Sequence, residues 1–383
     1  MKTMRLLLIL LVVFHSSYAQ LSVTFKLVKD PEKHHADTVY AAGNFNNWVP
    51  AYSGGRFNKT PDNVSTLHLT LPKGKYEYKL TRGSWDKVET KLSGEDVTNR
   101  LLSLSSDTVI ELTVEAWKDN FGSKKHTASS NVYIIDTAFL IPQLNRTRRI
   151  WAYLPADYKT SNERYPVLYM HDGQELFDAA TASFGEWGID ECLDTLFRNR
   201  RQQCIIIGID NSTTKRLTEY NPYSFRDLGK PEGNDYVDFI AKTLKPYIDK
   251  RFRTLRSKDN TFIAGSSMGG LISLVAVMRY RDVFGGAGIF SPAFWTAPKL
   301  NADLTAVANK LHHERLFFYA GGSESDEMVP DMQKIGSILK LNPSLTTIEY
   351  IDPAGKHNQA AWRKYFPLFI NWLLKRPGFT IDY

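Results

Sequence analysis

Along the first third of the chain, apolar and polar positions alternate with a period of two. The stretches LSVTFKLV, TVYAAGNF, STLHLTLP, YEYKLTRG and TVIELTVEAW, between Gln20 and Trp117, carry β-branched or aromatic residues in this rhythm. Gly, Asn and Pro punctuate them, so the pattern predicts short half-buried strands joined by turns. About one hundred residues of this texture predict a small immunoglobulin-like β-sandwich domain over residues 20–117. The stretch KDNFGSKKHTASSN that follows is polar and aperiodic, and residues 118–130 read as a linker.

From residue 131 the pattern changes. Continuous apolar runs appear in RRIWAYLP, YPVLYMHDG, QCIIIGIDN, NTFIAGSS, GGAGIFSP, RLFFYAGG and TTIEYIDP. Amphipathic stretches such as WGIDECLDTLFRN, NDYVDFIAKTLKPYIDKRF and GLISLVAVMRYRDVF lie between several of them. That alternation predicts an α/β domain over 131–383, with a mainly parallel sheet covered by helices on both faces. Ligand sites in such sheets lie beyond the carboxyl ends of the strands.

Composition narrows the class. Of 383 residues, 43% are hydrophobic and 13% aromatic, ample for packed cores and unlike a disordered chain. The opening MKTMRLLLILLVVFHSSYAQ has a positive head, an apolar run and a small-residue end, so residues 1–19 read as a signal peptide cleaved before Gln20. The apolar run is shorter than the roughly 20 residues of a spanning helix, and the expectation is a secreted protein, extracellular or periplasmic, with no membrane span in the mature chain. Net charge is +7, of which Lys2 and Arg5 supply two. No dense Lys/Arg run with interleaved aromatics occurs, which argues against a nucleic-acid partner. Cys192 and Cys204 are too few for a disulfide scaffold, and whether they pair is left open. Neither an HExxH nor a paired CxxC is present, so neither a metal nor another cofactor is expected.

The chemistry centres on NTFIAGSSMGGLISLVAVMRY, residues 260–280. NTFIAG reads as a strand, SSMGG as a turn and LISLVAVMRY as a helix, the context in which G-x-S-x-G marks a nucleophile. Gly265 and Gly269 leave room for a sharp turn, which would hold the Ser267 hydroxyl above the sheet at a helix start. The Met268 N–H is then one candidate oxyanion donor. Gln174, after the turn in YMHDGQ, supplies the second, while His171 beside it reads as structural or pocket-lining.

A serine needs a base and an orienting acid, and in this architecture the order is Ser, acid, His. His312 and His313 sit in a polar helical stretch and read as a solvated face. His357 falls between the last strand and the C-terminal helix, where a base should hang. The acid comes from GGSESDEMVPD: Glu324 lies closest to the strand end, Asp326 is the runner-up, and Glu327 and Asp331 are further candidates. Phe294, Trp295 and Tyr220 either line an acyl pocket or serve as packing.

RRIWAYLPADY, YPVLYMHDGQELFD, AGSSMGG, YAGGSES and GKHNQAAW…FPLFINWL together resemble the esterase D-type α/β-hydrolases. That group includes feruloyl and acetyl-xylan esterases of carbohydrate esterase family 1, enterochelin esterases and S-formylglutathione hydrolases. The resemblance covers about residues 131–376 and implies Ser267, Glu324 and His357 as the triad, although some relatives use an Asp in the acid loop. Separately, AGNFNNWVP with LPKGKYEYKLTRGSWDKVE is similar to the family-48 carbohydrate-binding modules. By that likeness Trp48, Lys79 and Trp85 would hold sugar, the indoles stacking on a pyranose and the lysine donating to hydroxyls. Taken together, these features imply a secreted serine esterase acting on ester decorations of plant polysaccharide such as arabinoxylan, feruloyl foremost and acetyl next. The alternatives are an enterochelin esterase-like hydrolase and a non-catalytic carbohydrate-binding protein.

Overall fold

A computed structural model describes residues 20–374, apart from 32, 33, 35, 63, 123, 124, 199–202 and 227. The expected signal peptide therefore lies outside the described residues. The chain forms two compact units, Met1–Gly122 and Ser123–Tyr383.

The first unit contains β1 (Gln20–Lys29), β2 (Tyr40–Gly43), β3 (Asn58–Lys59), β4 (Ser65–Pro72), β5 (Gly74–Thr81), β6 (Glu89–Thr90), β7 (Arg100–Leu104), β8 (Thr108–Thr113) and β9 (Ala116–Trp117). They form sheets of order β3-β4-β1-β8 and β2-β5-β7, with a small β6-β9 pair. The period-two pattern explains the core. Val23, Phe25 and Leu27 of β1 and Leu67 of β4 pack with Ala41, Tyr78, Leu80, Leu102 and Leu104 of the second sheet.

The second unit is built on one eight-stranded sheet. Its strands are β10 (Val132–Ile141), β11 (Arg146–Tyr153), β12 (Val167–His171), β13 (Ile205–Ile209), β14 (Thr261–Ser266), β15 (Gly286–Phe290), β16 (Arg315–Gly321) and β17 (Thr346–Asp352). The order is β10-β11-β13-β12-β14-β15-β16-β17. From β13 to β17 neighbours run parallel, while β11 pairs antiparallel with both β10 and β13. The central strands are buried on both faces, which is why they read as unbroken apolar runs.

One face is covered by α1 (Ile189–Arg198) and, at the far end of the chain, the helix Gln359–Leu374, whose Trp362, Phe366, Phe369, Ile370 and Leu373 enter the core. The helices Gly233–Phe239, Lys245–Arg251, Met268–Arg279 and Met328–Lys340 contribute to the core of the other. Helix Met268–Arg279 is buried on every side except at Arg279, matching its lack of a polar stripe.

The stretch predicted as a linker divides between the units. Lys118–Asn120 form a turn of the first. In the second, Thr127 Oγ1 donates to Glu186 at 2.7 Å, the Ser129 N–H to Asp190 at 2.7 Å and Asn131 Nδ2 to Asp194 at 2.8 Å. Polar groups of this segment, backbone and side chain, thus have acidic partners within the α/β unit. Cys192 and Cys204 are free thiols.

Candidate active site

β14 ends at Ser266, and helix Met268–Arg279 begins two residues later. Ser267 makes the connection alone, with φ +59° and ψ −121°, a conformation L-residues rarely adopt. The sharpness depends on missing side chains. A Cβ on Gly265 would lie 2.9 Å from His171 Cδ2 and 3.0 Å from the Gly269 carbonyl carbon. Two backbone bonds tie the turn to β15 and the loop after it: the Ser267 N–H donates to Phe290 O, and the Ala293 N–H donates to Ser267 O at 3.1 Å. Met268 carries the first N–H of the helix, and the N–H groups of a first turn have no intrahelical acceptor.

His357 stands in the loop between β17 and the terminal helix. Its Nδ1 meets Glu324 Oε2 at 2.7 Å. Of the four acidic candidates in the loop after β16, Glu324 is the one bonded to this histidine. Its other oxygen accepts the Gly321 N–H and the Ser291 hydroxyl, each at 2.6 Å. Trp362 donates its indole N–H to Ser291 Oγ, and the His357 ring stands edge-on to the Trp362 ring at 5.2 Å. The loops after β16 and β17 come together because Gly321 and Gly355 lack side chains; a Cβ on Gly321 would strike the Gly355 carbonyl.

The loop after β12 carries Gln174. Asp172 precedes it in the left-handed region, with φ +59°, and Gly173–Glu175 make one 3₁₀ turn. A buried network holds this loop. Arg216 Nε and Nη2 donate to the two Asp172 oxygens at 2.7 and 2.8 Å, Asn211 Nδ2 donates to Oδ1, and Arg216 reaches Ser266 O at 3.4 Å. Burial alone would raise the Asp172 pKa, but the Arg216 charge and the hydrogen bonds from Arg216 and Asn211 bring it below the ordinary value. The Asn211 N–H donates to Gln174 Oε1.

His171, expected to be structural or pocket-lining, is buried against the turn and bonded through Nδ1 to Tyr236 OH at 3.0 Å. Burial pushes its pKa down to about 3, so the ring is neutral. Tyr220 and Phe294 are core residues, whereas Trp295 between Phe294 and Thr296 is 44% exposed. His312 and His313 are exposed as predicted.

In the first unit, the Trp48 and Trp85 ring centroids lie 6.3 Å apart with planes 39° from parallel, and both rings are partly exposed. Lys79 differs from the two indoles in exposure. It is buried and its ammonium donates to Val97 O at 2.7 Å, so a backbone acceptor already occupies the group expected to bind sugar. Burial also lowers its pKa, against the pull of Asp96 and Glu89.

Ser291, Trp362, Asp172, Asn211 and Arg216 were not singled out by sequence reasoning. Trp362 had a weak signal, an aromatic five residues beyond His357. The others had none, because their partners are tens of residues away.

Residues 141–367, more than half the chain and including every one of these site residues of the α/β unit, match the family model described as Esterase. The chain belongs to the Esterase family. Among relatives of this esterase, the uncharacterized protein YbbA of Bacillus subtilis (strain 168) is 31% identical over 190 residues, 47% of this chain and 70% of that one. An endo-1,4-beta-xylanase/feruloyl esterase of Xylanibacter ruminicola is 30% identical over 143 residues, 36% of this chain and 19% of its own. Among solved structures, the enterobactin esterase FES of Shigella flexneri, crystallised in the presence of enterobactin, is similar with a TM-score of 0.54 and 17% identity over 92% of each chain. At that identity the likeness is one of fold, and it agrees with an α/β-hydrolase. Among the described residues no helix is long and apolar enough to cross a membrane, and no group of three or more His, Cys, Asp or Glu is placed to hold a metal.

Proposed function

We propose that this esterase is an exported serine hydrolase that removes acyl decorations, feruloyl foremost, from plant polysaccharide such as arabinoxylan. The observation carrying the reading is the His357–Glu324 bond beside the strained Ser267 turn. With Nδ1 committed to Glu324, the other ring nitrogen, Nε2, is the one that serves as base. Ser267 Oγ attacks the ester carbonyl and gives its proton to His357 Nε2. The N–H groups of Met268 and Gln174 receive the developing oxyanion. The tetrahedral intermediate collapses, His357 passes the proton to the departing alcohol, and the acyl group stays on Ser267. Water, activated by the same histidine, then releases the acid and restores the serine. Glu324 keeps its charge throughout and holds the imidazole in one tautomer.

The feruloyl preference is supported by the named activity of the X. ruminicola relative and by the exposed Trp295 next to the nucleophile turn. The paired indoles of Trp48 and Trp85 fit a pyranose platform in the first unit. A second reading, hydrolysis of a siderophore ester, is favoured by one observation: the likeness to FES extends over 92% of both chains.

The deciding experiment compares methyl ferulate, acetylated xylan, enterochelin and p-nitrophenyl acetate with wild-type and Ser267→Ala protein. Preference for ferulate with a loss of about 10⁴-fold or more in Ser267→Ala supports the reading. Cleavage of enterochelin alone selects the siderophore alternative, and silence on all four selects a binding protein. Undiminished hydrolysis by Ser267→Ala would remove Ser267 from the mechanism.

A further inference from the structure

An open depression of about 420 Å³ lies beside the oxyanion loop, lined by Ile134, Thr137, Thr147, Arg149, Asp210 and Asn211 among others. Its position follows from topology. β11 runs antiparallel to β13, pairing Ile150 with Ile209, so Arg149 sits at the same edge of the sheet as the carboxyl ends of β12, β13 and β14. The depression is joined to the site through Asn211, whose N–H donates to Gln174 Oε1 at 3.0 Å.

Arg149 is held rigidly there. Its guanidinium lies over the Trp151 ring at 4.5 Å, and its Nε donates to Asp210 Oδ2 at 2.8 Å. Trp151 Nε1 donates to the other Asp210 oxygen at 2.7 Å, so ring, carboxylate and guanidinium fix one another. The two terminal guanidinium nitrogens have no acceptor among the described residues, although the side chain is only 30% exposed. A fork of donors with its orientation already fixed loses little entropy when it takes up an oxygen ligand.

The direction of the bound ester decides which part of it reaches this fork. The departing alcohol must take its proton from His357, which hangs after β17 and is bonded to the loop after β16. The alcohol therefore lies on the β15–β17 side of Ser267, and the acyl group points the other way, over β12 and β13. Arg149 stands on β11, three places from β14, but its Nε meets Asp210 just past the end of β13, and β13 is two places from β14, a separation of about 10 Å at ordinary strand spacing. A hydroxycinnamoyl group, extended from carbonyl to para oxygen, covers that gap once the length of a hydrogen bond, about 3 Å, is added, whereas an acetyl group does not leave the nucleophile.

We propose that this depression is the distal acyl subsite, in which Arg149 binds the para oxygen of a hydroxylated aryl acyl group. The inference rests on the serine esterase reading and deepens it, since it places selection for hydroxycinnamoyl esters in a residue outside the catalytic set. Thr137 and Thr147 line the same hollow and offer hydroxyls to the neighbouring ring substituent.

The test is the ratio of kcat/KM for methyl p-coumarate to that for methyl cinnamate, which differ only in the para hydroxyl. Arg149→Met keeps an apolar stem over Trp151 and removes the donors, and the ratio is expected to fall about 10-fold, mainly through KM. Arg149→Lys, which keeps the charge without the fork, should fall less in the same direction; it also serves if the methionine variant does not fold. An unchanged ratio in both variants overturns the subsite while leaving the esterase reading intact. Wild-type protein that hydrolyses p-nitrophenyl acetate and neither aryl ester overturns the feruloyl reading and the subsite with it.

Discussion

Trp362 and Ser291, 71 residues apart in sequence, share a buried hydrogen bond of 2.8 Å from indole N–H to hydroxyl, and that hydroxyl donates onward to Glu324. The carboxylate that meets His357 is therefore oriented by a relay rooted in the core. Ser291→Ala removes a donor from Glu324 and leaves the Trp362 N–H unpaired. We expect kcat to fall about 10-fold with KM little changed, and stability to fall by about 1–3 kcal/mol, the cost of orphaning a buried polar group. Trp362→Phe should reproduce the direction with a smaller loss in kcat. Steady-state kinetics with urea titration read both, and normal kcat in the two variants would disprove the orienting role.

The Asp172–Arg216 pair makes a different demand. Removing one partner strands the other, so Asp172→Asn is expected to cost about 3–5 kcal/mol, as for other broken buried pairs. Arg216→Met in the same chain should recover part of that loss, because the stranded charge is gone. A double-mutant cycle by urea denaturation checks this; strictly additive losses would show that the pair does not act as a unit. Since the folded Asp172 pKa lies below its ordinary value, the stability it contributes is present above the unfolded pKa and lost as pH falls through the folded one.

His171 adds to the same acid limb. Its folded pKa of about 3 lies below the ordinary 6.5, so the unfolded chain binds a proton that the folded chain refuses. Stability should therefore decline as pH drops from 6.5 toward 3, by an amount on the order of a few kcal/mol from this group. His171→Asn removes the titration, and its stability should depend less on pH across that window. Parallel denaturation curves for the variant and wild type between pH 6.5 and 4 would contradict the assignment.

For the first unit, Trp85→Ala is expected to weaken retention on soluble arabinoxylan about 2- to 10-fold, the range of one aromatic contact. Hydrolysis of p-nitrophenyl acetate should not change. Affinity electrophoresis measures the retention, and equal migration of variant and wild type with and without polysaccharide would remove sugar binding from this face.

Much of this site was legible because its parts are local. The Ser267 turn needs a strand, two glycines and a helix within about twenty residues, and apolar periodicity reveals all of them. His357 was legible as a loop residue between a strand and a helix. The acid was less so: Glu324 and Asp326 are two residues apart in one polar loop, and no local pattern separates them. The bond from His357, 33 residues further on, does. For Lys79 the local pattern likewise said nothing of its surroundings. It lies within a strand whose last four residues are buried, and its ammonium is spent on Val97 O.

By itself the sequence determined most of the central elements, because period-two and period-3.6 patterns depend on residues a few places apart. It likewise determined the Ser267 turn, whose sharpness the glycines on either side of Ser267 permit. The tertiary structure alone decided the partnerships across the sheet. Arg149 with Asp210, Arg216 with Asp172, and Trp362 with Ser291 join residues 44 to 71 positions apart. Those distances close only when β13 is inserted between β11 and β12 and the terminal helix packs back onto the sheet. That arrangement is set by burial of whole faces, a sum over the domain that no short window of sequence contains.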